Sequence, residues 1–319
     1  MVWRRLYVIE TMNTTFEPAY VKLLRDGQLI ARAKEAYQRF ASCDFCGWRC
    51  RVDRIAGKLG VCRTGDNARV SSYGLHMGEE NPLRGWRGSG TIFFTRCNLR
   101  CQYCQNHDIS QTDSGDLVSA KALALMMLEL QSMGCHNINL VSPTHVVPQI
   151  LAAVNIAARA GLRLPLVYNT GGYDSLTALQ LLEDVVDIYM PDMKYSSERV
   201  ASYYSKCPRY PQVNQAAITE MYRQVGDLQM DLSGVAQRGL LVRHLILPNR
   251  LAGTNEIVHF LADEVSKNTY LNLMNQYHPD FLVRQYPNQY SKLNRSIKAS
   301  EFHEALDFAE KAGLYRFDK

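Results

Sequence analysis

Three cysteines, Cys97, Cys101 and Cys104, fall inside eight residues of the stretch GTIFFTRCNLRCQYCQN, Gly90 to Asn106. Their spacing is C-x3-C-x2-C. Thiols this close, in a chain that keeps them reduced, point to a metal centre before a disulfide. Structural zinc sites and most iron–sulfur sites take four thiolates. Three thiolates on a cubane [4Fe–4S] cluster leave one iron without a protein ligand, and an open coordination position is the mark of a catalytic metal.

A second group precedes it. CDFCGWRCRVDRIAGKLGVC supplies Cys43, Cys46, Cys50 and Cys62, spaced C-x2-C-x3-C-x11-C. Four thiolates suit a closed metal site, and zinc and a second iron–sulfur cluster both fit them. Zinc would staple a module too small to fold on its own core; a cluster would relay electrons. Arg49, Arg51, Arg54, Lys58 and Arg63 surround this group and read as a solvated basic face. An acidic protein reductant suits such a face. With only Phe45 and Trp48 interleaved, nucleic acid does not. Cys135 and Cys207 stand alone and read as small apolar fillers.

The elements that position these groups follow from the rest of the chain. Its 319 residues are 46% hydrophobic with a net charge of +5, enough for a sizeable core and too mildly basic to imply nucleic acid. The amino terminus, MVWRRLYVIE, has no apolar stretch suited to secretion, and no run suits a membrane span. A cytoplasmic protein is expected. Residues 1–89 read as an irregular start, a helix over 29–40 and the four-cysteine metal module, with weak periodicity in 43–89. From residue 90 to 280 strand and helix alternate. Strands are predicted at 91–95, 138–141, 165–169, 186–190, 240–247 and 270–274. Helices are predicted at 119–134, 146–160, 176–182 and 255–267, with two more over 196–230. Residues 281–319 form a carboxyl-terminal extension and a helix that Ser300 caps, with Phe302, Leu306 and Ala309 on its buried stripe. The extension YPNQYSKLNR, 286–295, is expected to cover an open barrel edge. Alternation of this kind demands a parallel sheet, and eight units would close a full barrel of roughly 250 residues. Six give an α/β fold with a partial (β/α)6 TIM-like barrel. Chemistry in such folds sits at the carboxyl ends of the strands, and Cys97 follows the first strand by two residues.

C-x3-C-x-aromatic-C, with Tyr103 before the last cysteine and a six-unit βα chain behind it, resembles the radical S-adenosylmethionine (SAM) superfamily. Over nearly its whole length the chain is similar to uncharacterised pyruvate formate-lyase activating enzyme-like proteins, through GSGTIFFTRCNLRCQYCQNHDISQ, INLVSPTH, MPDMKY, RHLILPN and YPNQYSKLNR. The resemblance implies an oxidoreductase in which Cys97, Cys101 and Cys104 ligate a [4Fe–4S] cluster. S-adenosylmethionine is cleaved reductively there to a 5′-deoxyadenosyl radical that abstracts hydrogen. An electron donor of flavodoxin or ferredoxin type goes with it, and a glycyl radical enzyme is the protein substrate it favours. Radical modification of a small molecule or nucleotide, a non-catalytic electron carrier and a zinc-ribbon binding protein are the rival functions.

The resemblance also places cofactor contacts at later strand ends. Many members carry Gly-Gly-Glu after the second strand; this chain has SPTH, so Ser142 and Thr144 are the candidates there, with His145 beside them. Asn169 and Thr170 end the third strand, followed by Gly171 and Gly172. Asp192 and Lys194, two apart, point the same way from the fourth and resemble the D-x-K of activating enzymes. Arg243, in the apolar fifth strand, needs a partner if buried.

Overall fold

The computed structural model describes residues 16–318; the irregular start expected at residues 1–15 lies outside them. Ten strands form one sheet in the order β10-β9-β8-β6-β5-β4-β2-β1-β3, with β7 beside β8. They are β1 (Ala68–His76), β2 (Ser89–Phe94), β3 (Asp116–Val118), β4 (Ile138–Val141), β5 (Leu166–Thr170), β6 (Ile188–Pro191), β7 (Gln229–Met230), β8 (Ala236–Leu245), β9 (Tyr270–Met274) and β10 (Arg316–Phe317). The six predicted strands are β2, β4, β5, β6, β8 and β9. They pair in parallel and in chain order, as the right-handed βαβ rule requires of a barrel-like sheet. The sheet does not close. β1 and β3 run antiparallel at one edge, and the two-residue β10 lies parallel along β9 at the other.

Local chemistry sets the helices. Ser119 and Ser175 accept the N–H groups of Ala122 and Ala178, which starts Ala120–Ser132 and Leu176–Leu182. Pro148 occupies the first turn of Val147–Arg159. The two helices expected over 196–230 are Glu198–Ser205 and Tyr210–Val225. Ser300 does not cap the last helix, Ala299–Ala312. Its Glu301 carboxylate reaches back to the Lys298 N–H at 2.8 Å, which moves the boundary two residues earlier.

β1 was not predicted. Its outer face carries exposed Tyr73 and Leu75, so the strand lacks a clean polar–apolar alternation. It leads into a segment, residues 77–88, that packs into the barrel's amino-terminal end, where Leu83 meets Val167, Ile188, Leu241 and Tyr270. Residues 286–295 also depart from expectation. Tyr290 donates to Gln102 Oε1 at 2.9 Å, so this segment lies on the cysteine loop, and β10 pairs the β9 edge instead. No described helix is long and apolar enough to cross a membrane.

Candidate active site

The cysteine loop leaves the carboxyl end of β2 and turns back over the barrel mouth. Each sulfur has a polar group within hydrogen-bond reach. The Leu99 N–H donates to Cys97 Sγ at 3.3 Å, Ser205 Oγ donates to Cys101 Sγ at 2.9 Å, and the Ser110 hydroxyl lies 3.2 Å from Cys104 Sγ. Burial pushes the Cys97 thiol up to about 11 and the Cys101 thiol up to about 12, in spite of the Lys194 ammonium nearby. A bare thiolate is therefore costly here, whereas a metal-bound sulfur is deprotonated outright. Among the described residues no three His, Cys, Asp or Glu side chains are arranged to hold one metal ion. A cubane cluster does not ask for that convergence, because its thiolates sit on separate irons. Sulfurs at least half-buried, a polar group at each and a facing cation suit such a cluster.

Behind the loop stands a wall of tyrosines. The Tyr103 hydroxyl is 2.6 Å from that of Tyr195, which is 2.7 Å from Ser205 Oγ. Tyr173, Tyr204, Tyr210, Tyr277 and Tyr290 complete the cluster. Tyr103 is thus held in this wall with its hydroxyl satisfied.

Across the mouth, one chain of ion pairs links three strands. The register sets Asp192 beside Arg243. Lys194 Nζ is 2.6 Å from Asp192 Oδ2, Arg243 Nε is 2.9 Å from Asp192 Oδ1, and Arg243 Nη2 donates to Asn169 Oδ1 at 2.8 Å. Burial alone would raise the Asp192 pKa, but Arg243 and Lys194 outweigh it and hold the carboxyl below its ordinary range. For Lys194 burial works against the charge, and Asp192 more than restores it. The chain continues inward: Arg243 Nη1 lies 3.7 Å from Glu80 Oε1, which accepts from Asn272 Nδ2 at 3.1 Å. Beside it, Glu79 has its pKa raised to about 7 by burial and by Glu80, against Arg243. Sequence reasoning missed this acid pair, which enters from the aperiodic segment before β2.

Other expected residues go elsewhere. Thr144 and Thr170 both donate to Asp174 at 2.7 Å, on the helix-covered side of the sheet, and Tyr168 joins them at 2.9 Å. Ser142 stays at the mouth, half-buried, in a left-handed conformation with φ 58° that a serine adopts at a cost. A Cβ at Gly171 would sit 2.7 Å from a terminal methyl of Leu99, so strand end and cysteine loop lie close together here. His145 is buried; Nε2 is 3.0 Å from the Thr95 carbonyl, and desolvation lowers its pKa to about 3. A groove of about 550 Å³ lined by Ser196, Leu247 and Phe308 lies outside this site.

The four-cysteine group is gathered as well. Burial pushes the Cys46 thiol up, and Cys62, Cys43 and Cys50 add to the shift as neighbouring negative charges. Arg49, Arg51, Lys58 and Arg63 are exposed, as expected of a basic face. Arg54 is not. It is buried, with its guanidinium 3.9 Å from the Phe40 ring centroid, and it donates to the Gly65 carbonyl and to the His145 carbonyl at 2.9 Å. It fastens the module to the loop after β4.

Residues 91–226 match the Radical SAM superfamily. An uncharacterized protein of Methanocaldococcus jannaschii is 30% identical over 303 residues, covering 92% of this chain and 82% of that protein. The chain belongs to the radical SAM superfamily. Among solved structures, Streptococcus suis SuiB bound to precursor peptide SuiA is similar with a TM-score of 0.47 and 9% identity, over 70% of this chain and 46% of that one. HydG, a maturase of the [FeFe]-hydrogenase, gives 0.47 and 10%, over 69% and 48%. The chain spans about half the length of those two proteins.

Proposed function

We propose that the three-cysteine loop carries the [4Fe–4S] cluster of a radical SAM enzyme and that the Asp192–Lys194–Arg243 chain grips the cofactor beside it. When bound, the cluster supplies the electron that cleaves S-adenosylmethionine reductively, giving the hydrogen-abstracting 5′-deoxyadenosyl radical. Cys97, Cys101 and Cys104 hold three irons, and the polar groups at their sulfurs tune the charge they share. Lys194, fixed by Asp192, offers an ammonium to the cofactor carboxylate, while Arg243 and Asn169 keep Asp192 from turning away. Ser142 supplies a hydroxyl or a carbonyl at the adjoining strand end. The tyrosine wall keeps water and oxygen from the loop.

The observation that carries this reading is the placement of three clustered sulfurs, Cys101 buried and Cys97 and Cys104 half-buried, and one anchored lysine at the same end of a parallel sheet. D-x-K at the fourth barrel strand favours a protein substrate from which a backbone glycine hydrogen is taken, with a flavodoxin or ferredoxin as donor. Anaerobic reconstitution, reduction with dithionite and addition of S-adenosylmethionine should yield 5′-deoxyadenosine. With deuterated glycine in a captured protein, deuterium should enter that product. Label arriving only from a small molecule would reassign the substrate, and no product at all would remove the reading.

A further inference from the structure

The four-cysteine module touches the cysteine loop in a way that a zinc staple does not require. Trp48 lies between Cys46 and Cys50, and its indole Nε1–H donates to the backbone carbonyl of Asn98 at 2.7 Å. Asn98 is the residue after Cys97. Its side-chain amide donates to the Tyr173 carbonyl at 3.0 Å, and the same carbonyl accepts the Gly47 N–H at 3.1 Å. The Trp48 and Tyr173 rings meet edge to face with centroids 6.1 Å apart. Gly47 is what permits this approach, since a Cβ there would fall 2.4 Å from the Tyr173 ring. A second bridge runs beside the first. Arg100, inside the cysteine loop, donates to the Val61 carbonyl, next to Cys62, and its guanidinium lies within electrostatic reach of both Cys97 and Cys62. The two thiol groups thus face each other across one layer made of Trp48, Asn98 and Arg100. On the module's outer side, Cys50 and Cys62 are half-exposed among the exposed Arg51, Lys58 and Arg63.

We infer that the four-cysteine group holds an iron–sulfur cluster that receives electrons and passes them to the cysteine loop through the Trp48–Asn98 hydrogen bond. This rests on the function proposed above. One electron leaves an external low-potential flavin or iron–sulfur protein with an acidic face, reduces the module cluster, and moves on to the loop cluster. No bond forms or breaks and no proton is transferred. The basic outer face docks the donor, so it approaches the module rather than the barrel mouth.

The full chain, reconstituted anaerobically with iron and sulfide, should contain about eight irons and no stoichiometric zinc. After mixing with a reduced acidic flavoprotein, freeze-quench paramagnetic resonance should show the module signal before the loop signal. Trp48→Phe keeps the ring against Tyr173 and removes the N–H. It should retain the iron and slow the second step by about tenfold or more, the scale on which residues around a metal centre act. About four irons with one zinc would overturn the inference, as would a loop signal appearing first or an unchanged second step in the loaded variant. Each of those results leaves dithionite-driven 5′-deoxyadenosine formation intact, which separates them from failure of the enzyme reading itself.

Discussion

The two cysteine groups hold their sulfurs by different means. In the module the support is local. Cys43 and Cys46 accept the backbone N–H groups of Phe45 and Trp48, each two residues on, within turns that also use left-handed Arg49, Arg51 and Arg63. In the loop only Cys97 follows that rule, through the Leu99 N–H. Cys101 and Cys104 rely on the hydroxyls of Ser205 and Ser110, and Ser205 is 104 residues away. A self-supporting turn can be fastened to many folds. A loop with a sulfur that depends on a distant helix works only where the barrel puts that helix. This is the difference expected between an accessory centre and one whose charge must be set for a reaction.

The largest effect should come from the loop. Cys101→Ala removes one of three candidate ligands, and we predict that 5′-deoxyadenosine formation falls to background while far-UV circular dichroism is unchanged. Product at a fraction of the wild-type rate would mean that Cys101 is no ligand, and the comparison would lose one side.

Next is the ion chain facing the loop. Asp192→Asn leaves Lys194 and Arg243 close together without their shared carboxylate. Breaking a buried pair from one side costs about 3 kcal/mol or more, and this should appear as a lower denaturant midpoint. An unchanged midpoint would show that water at the mouth already screens these charges. A comparable loss is expected at the module's attachment. Arg54→Met keeps bulk beside Phe40 but abandons the Gly65 and His145 carbonyls, at about 1–3 kcal/mol for each carbonyl left unsatisfied. Limited proteolysis should then cut within residues 43–67 before the barrel opens.

Much of this architecture was legible because its signals are short-range. The parallel strands β4, β5 and β6 are buried apolar runs closed by turn residues, and both cysteine groups declare themselves by spacing. What stayed hidden depends on long contacts. Glu80 meets Asn272 across 192 residues, and nothing around EENPL marks it as a barrel residue. Thr144 and Thr170 were misplaced because a polar strand end suggests a mouth, whereas Asp174, beyond the Gly171–Gly172 turn, draws both hydroxyls to the other face. Arg54 stays hidden among its solvated neighbours because a basic run gives no sign of which member turns inward.

The acid pair beneath the mouth gives a pH signature of middling size. Burial and Glu80 raise Glu79 to about 7, against Arg243, with His76 3.4 Å away. An unfolded glutamate titrates near about 4.3. Between the two values the folded protein binds the extra proton, so its stability falls as pH rises from about 4 to 7 and the penalty is complete above that. Glu79→Gln should remove Glu79's share of this slope and make the protein more stable at pH 8, by about 3 kcal/mol. Asp187, raised to about 7 by its own burial, should leave a parallel slope in the variant. If wild type and variant fall equally across this window, Glu79 is solvated and the inner chain ends at Glu80.

The smallest effect tests the comparison most directly. Ser205 Oγ stands between Tyr195 and Cys101, so Ser205→Ala removes one donor from a sulfur without touching a ligand. The lost hydrogen bond should cost only about 1 kcal/mol of stability. Its electrical consequence should be clearer. A donor at a cluster sulfur favours the more negative, reduced state, so its removal should make the loop cluster harder to reduce with no change in iron content. The module, braced by its own backbone, should keep its potential in the same variant. Potentiometric titration of both signals in one sample provides the internal control. A shift in both, or in neither, would mean that the hydroxyl does not set the loop apart, and the contrast between borrowed and local support would fail at the sulfur where it is best defined.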